Sequence, residues 1–122
     1  MNSLKEKTYK PAISISMKKP GIRIYKDTLH LLEDPNYILL MVNPEDYSIV
    51  ISPSDWRDCK SHNIARYLFN NTKSITLYST SLIRELKMLR PNWDYNKAYK
   101  IGGVYLQNEF AVKFDMTSAV EI

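Results

Sequence analysis

The chain has 122 residues, one domain's worth, and its 44% hydrophobic and 25% charged residues exclude wholesale disorder. Its longest apolar run, residues 38–42, is far short of the roughly 18 residues of a membrane span, and a single cysteine, Cys59, excludes an internal disulfide or a cysteine-rich zinc site. The net charge of +4 is uneven: residues 1–26 carry seven basic residues against Glu6 alone, and the rest is slightly acidic.

Residues 1–11 have no periodicity and read as a flexible basic arm; residues 12–122 read as one domain. The N-terminus is polar, without an apolar signal core, and the single cysteine fits a reduced, cytosolic setting. Ile13 and Ile15 alternate with Ser14 and Ser16, the pattern of a half-buried strand. After a turn at Lys18-Lys19-Pro20-Gly21, Ile22 to Tyr25 alternates again. Asp27 or Thr28 is positioned to cap a short helix bearing Leu29, Leu31 and Leu32, stopped at Asp34-Pro35. Residues 37–42 are too continuously apolar for a surface strand and read as buried on both faces; with residues 47–51 they predict a hairpin. Residues 54–73 read as a linker, with Ile64, Tyr67 and Leu68 spaced for a short docking helix.

Ile75 to Tyr78 predicts another strand, and Ser79, Thr80 and Ser81 offer caps for a helix through Arg90 with Leu82, Ile83, Leu86 and Leu89 on one stripe. Pro91 ends it. A final hairpin spans residues 97–114, with Gly102-Gly103 as a bulge or bend. The expected core is Ile22, Ile24, Leu29, Leu32, Ile38, Leu40, Val42, Ile49, Ile51, Leu77, Leu82, Leu86, Ile101, Val112 and Phe114.

The halves are alike. Residues 22–29 align with 75–82, each an alternating strand ending in tyrosine, then three polar residues and a leucine. Pro35-Asn36-Tyr37 answers Pro91-Asn92-Trp93, and each half ends in a hairpin. This order suggests duplication, against the alternative that any two amphipathic strand–helix pairs look alike. The expected fold is therefore α+β: two tandem strand-helix-hairpin units, 12–53 and 74–115, forming a small β-rich, barrel-like domain with pseudo-twofold symmetry.

The strand Ile22-Arg23-Ile24-Tyr25-Lys26, its short helix and the hairpin ending at Ile49-Val50-Ile51-Ser52-Pro53 resemble the swapped-hairpin unit of AbrB-like and MraZ-like bacterial regulators. Pro20-Gly21 stands where those families have a glycine turn, and two units in tandem look most like MraZ. The stretch 20–53 is also similar to small proteins of phages and conjugative elements of Gram-positive bacteria. The resemblance implies a non-enzymatic DNA-binding regulator in the cytoplasm of a bacterial host cell, a monomer with an internal pseudo-dimer or a homodimer. AbrB-like proteins read DNA with arginines near the turn and in the short helix. Here the turn has Lys18 and Lys19, the helix offers His30, and Tyr25 and Tyr78 replace the proline that typically follows the first strand.

Catalytic signals are sparse. His30 and His62 lie in different segments, and Cys59 with His62 is half of a metal or nucleophile constellation with no second half. No glycine-rich phosphate loop occurs. The residues therefore predict no enzyme, no cofactor and no metal. The expected nucleic-acid-binding residues are Lys18, Lys19, Arg23 and Lys26, Arg23 pointing away from the face of Ile22 and Ile24. The alternative is an inhibitor of a host defence nuclease, anti-CRISPR-like, binding a host protein or a protein–nucleic-acid complex. It would use Arg90, Trp93 and Tyr95, on the expectation that a loop after a proline stop is exposed.

Overall fold

Alternation of isoleucine with small polar residues sets up the first hairpin, β1 (Ala12–Ser16) and β2 (Gly21–Tyr25). Its register puts Ile13 opposite Ile24 and Ile15 opposite Ile22, all buried, and Ser14 opposite Arg23 on the other face. The computed structural model describes residues 9–65 and 74–122. Residues 1–8 of the expected arm, and 66–73 with most of the expected docking helix, lie outside them.

The helix α1 (Lys26–Leu31) follows β2 directly and has no side-chain cap. Thr28 is buried instead, and its hydroxyl donates to the Ala12 carbonyl while accepting from the Ala12 N–H, both at 3.0 Å. A threonine expected to cap the helix thus ties it to β1. The hairpin of β3 (Tyr37–Asn43) and β4 (Ser48–Ser54) follows, and β5 (His62–Asn63) adds to β3. Next come β6 (Ser74–Tyr78), α2 (Thr80–Leu89), β7 (Ala98–Leu106), β8 (Ala111–Asp115) and β9 (Val120–Glu121). Ser79 caps α2 by accepting from the Leu82 N–H, and Ile83 and Leu86 face the core.

The strands form one antiparallel sheet in the order β5-β3-β4-β8-β7-β1-β2-β6, with β9 on β7. The long strand β7 turns the sheet. Its residues 98–102 pair with β1, and its residues 103–106 pair with β8. The bend falls at Gly102-Gly103, where a side chain on Gly103 would run into Val112 and Phe114. The result is a curled half-barrel whose inner face carries the core: Ile13, Ile15, Ile22, Ile24, Ile38, Ile49, Ile51, Ile101, Val112 and Phe114, with Leu29, Leu31, Leu32, Ile83 and Leu86 from the helices.

This corrects the expected α+β fold of two tandem strand-helix-hairpin units, and with it the swapped-hairpin architecture the resemblance implies. Strand β1 lies between β7 and β2 and has no counterpart in the second half. The two hairpins are joined edge to edge through β4 and β8, and α1 is only six residues long. The alike segments 22–25 and 75–78 lie side by side. They are paired neighbours, Ile22 opposite Leu77 and Ile24 opposite Ile75, and serve the same face.

Two local expectations are also corrected. Only Ile38 of β3 is fully buried and Met41 is 59% exposed, so this strand is covered on one face; Leu40 and Val42 are half-buried, as are Leu77 and Leu82. The polar stretch after Pro53 contains β5 and the fully buried Ile64, whose N–H donates to the Asn36 carbonyl.

Candidate nucleic-acid interface

The outer face of β7-β1-β2-β6 is built from the residues that alternate with the core. Across the four strands, Lys100, Ser14, Arg23 and Thr76 form one row, and Ala98, Ser16, Gly21 and Tyr78 form the next. The second row is small except at its end, which leaves a depression of about 390 Å³. Its floor is Ser14, Ser16, Gly21 and Ala98; Lys19, Arg23, Tyr25, Thr76, Tyr78 and Ile122 stand around it. Ser14 is buried, and its hydroxyl is satisfied by a hydrogen bond with the Tyr25 hydroxyl at 2.8 Å. The Lys100 ammonium lies 5.1 Å from the centre of the Tyr25 ring.

Tyr78, on the rim of this cradle, is 73% exposed. Its ring is seated on Gly21: an added Cβ there would come within 3.1 Å of Tyr78 Cδ1. The ring thus touches Gly21 at its Cδ1 edge and is otherwise largely open to solvent. Tyr78 and Tyr25 flank Arg23, Tyr78 on the diagonal of the cross-strand pair and Tyr25 two residues along the same strand.

Elsewhere on the surface, three basic side chains are paired with carboxylates. Lys113 donates to Asp46 at 2.7 Å, Arg57 to Asp55 at 2.9 Å, and Lys97 pairs with Glu121 at 2.9 Å. The hydrogen bond and charge of Glu121 hold the Lys97 ammonium above its usual range, as Asp46 does for Lys113. Lys19 and Arg23, like Lys18, Lys60 and Arg84, have no ion-pair partner among the described residues. Two uncompensated cations beside an exposed aromatic and several hydroxyls suit a phosphate-bearing ligand.

Of the four expected binding residues, the structure brings Lys19 and Arg23 together at the cradle. Lys18 is exposed in the same turn but does not line the depression. Lys26 begins α1 at the far end of β2, roughly 16 Å along the strand from the turn, and is half-buried. Sequence reasoning missed Lys100, Thr76 and the seating of Tyr78. Their outward alternation was readable, but that four strands distant in sequence share one face was not.

The expectation of an exposed Trp93 is corrected. Trp93 is only 3% exposed and stacks on Tyr99 with ring centres 4.6 Å apart and planes 12° from parallel. Lys87, one turn earlier, donates to the carbonyls of Pro91 and Trp93 and folds the post-helix loop inward. Tyr95 is exposed and lies 4.7 Å from the Lys87 ammonium. Arg90 is half-buried, its guanidinium 6.0 Å from the Tyr47 ring. The alternative protein-binding surface thus loses its central anchor.

Cys59 is exposed, and His62 is half-buried in β5. Among the described residues no three of His, Cys, Asp and Glu converge as a metal site, and no helix is long and apolar enough to cross a membrane. No family model, curated protein or solved structure matches the chain.

Proposed function

We propose that the chain is a nucleic-acid-binding protein whose contact surface is the outer-face cradle of β7-β1-β2-β6. The observation that carries this reading is the pairing of Lys19 and Arg23, uncompensated among the described residues, with Tyr78, which stands open on the same face. Cations supply the phosphate contacts, which position a nucleic acid without reading its sequence. An exposed tyrosine supplies a sequence-tolerant stacking platform. The hydroxyls of Ser16 and Thr76 add donors and acceptors at hydrogen-bonding height above the sheet.

The test places equal charge changes at two sites. Arg23→Glu reverses a charge inside the cradle. Lys60→Glu makes the same change at an exposed lysine in the 55–61 loop. In fluorescence anisotropy at low salt with labelled single-stranded and duplex oligonucleotides, the wild type and Lys60→Glu bind and Arg23→Glu does not. Equal losses in the two variants would reduce the effect to net charge. A wild type that binds neither oligonucleotide would remove the proposal.

A further inference from the structure

We infer that the nucleic acid taken by this cradle is single-stranded, with one base stacked on Tyr78 and the adjoining phosphate held by Arg23 and Lys19. The inference rests on the reading of the cradle as a nucleic-acid site and names the form of its ligand.

The first argument is shape. A protein enters the duplex major groove, about 12 Å wide, with a projecting helix or a two-stranded ribbon. The cradle is the reverse. Its four strands span about 14 Å from β7 to β6 before side chains are added. Its floor is sunk below the arginine, lysine and tyrosine side chains around it. A rod such as a duplex would meet only those projecting side chains. The depression's volume of about 390 Å³ falls within the range of small-ligand sites, so it suits one nucleotide-sized group at a time.

The second argument is the aromatic side chain. In a duplex the base faces are hidden in the stack, so an exposed ring has no partner there. In a single strand every base has a free face, and stacking tolerates any sequence. Tyr78 is placed for this. Gly21, without a side chain, lets the ring come close at Cδ1, and 73% of the side chain remains exposed. Arg23, on the diagonal from Tyr78, and Lys19, which precedes Gly21 by two residues, stand where the strand's phosphates would run beside that base. The Ser16 and Thr76 hydroxyls line the space the base edge would reach.

The experiment is a set of anisotropy titrations, each made at two salt concentrations. It uses matched single-stranded and duplex oligonucleotides of the same sequence, with the strand made as DNA and as RNA. The single strand binds at least tenfold more tightly than the duplex. Tyr78→Ala weakens single-strand binding about tenfold and leaves the salt dependence unchanged, because stacking carries no charge. Tyr78→Phe, which keeps the ring, binds like the wild type. Either the DNA or the RNA strand showing this Tyr78 dependence bears the inference out. Duplex binding as tight as single-strand binding, or an unchanged affinity in Tyr78→Ala, overturns it while the nucleic-acid reading stands. A wild type that binds no nucleic acid of either form overturns both.

Discussion

The bend in β7 can be tested with two adjacent glycines. At Gly103 an added Cβ would lie 2.6 Å from Phe114 Cε1 and 2.7 Å from Val112 Cγ1, both on fully buried side chains. The sheet changes partner here, from β1 to β8, so neither the strand nor the core can move aside independently. Overpacking of this kind costs about 1–3 kcal/mol. At Gly102 the added Cβ would meet nothing within 4 Å, and neither glycine has a positive φ. Alanine at either site gains about 0.4–1 kcal/mol by restricting the unfolded chain, and that gain is common to both variants. Gly103→Ala should therefore be less stable than Gly102→Ala by about 1–3 kcal/mol. Equilibrium urea unfolding of the two proteins, with equal slopes, gives the difference directly. Two variants of equal stability, or a more stable Gly103→Ala, would show that the bend is not set by the close approach of β7 to Val112 and Phe114.

Further predictions concern the core, the post-helix loop and pH. Ile51→Ala, fully buried, should cost about 2–5 kcal/mol, and Leu40→Ala, opposite it on β3 and half-buried, measurably less; equal costs in chemical denaturation would contradict the half-burial of Leu40. Trp93→Ala should cost about 3–5 kcal/mol of stability, and Tyr95→Ala less than about 1. Comparable small effects in thermal unfolding would mean that Trp93 is a surface residue after all. The Lys113 ammonium, then the Ser48 hydroxyl, hold the Asp46 carboxyl below its usual range. The folded protein thus binds that proton only at lower pH than the unfolded chain. The stabilisation is present above about pH 4 and is lost as pH falls through the folded value. Asp46→Asn should flatten the fall in melting temperature on acidification, and an unchanged acid limb would count against the pair's contribution.

Strand positions were legible wherever apolar and polar residues alternate, as in Ile13 to Ser16 and Ile22 to Tyr25, because one face meets the core and the other meets water. The helix α2 was legible from its leucine stripe and from Ser79 before it. Strand order was not, because pairing joins segments far apart in sequence. The insertion of β1 between β7 and β2 leaves no local mark, and two-residue strands such as β5 and β9 are too short for a periodicity. The similarity of residues 22–25 and 75–78 suggested a repeat where the structure has two neighbouring strands on one inner face. Trp93 misled for a different reason: its loop follows a proline, but Tyr99 on β7 gives it a stacking partner that only the tertiary structure supplies. In the site, the outward aim of Arg23 followed from its isoleucine neighbours. The company of Tyr78 and Lys100 depended on strand order and could not be read.

The most direct measurement is the salt dependence of oligonucleotide binding by the wild type and by Lys19→Ala/Arg23→Ala. Each phosphate contact on a single strand contributes about 0.7 to the slope of log affinity against log salt. If the cradle is the binding surface, affinity of the wild type falls steeply with salt, and the double variant is both weaker and flatter in slope by about 1.4 units. A double variant with the affinity and slope of the wild type would place the nucleic acid elsewhere on the molecule and contradict the account.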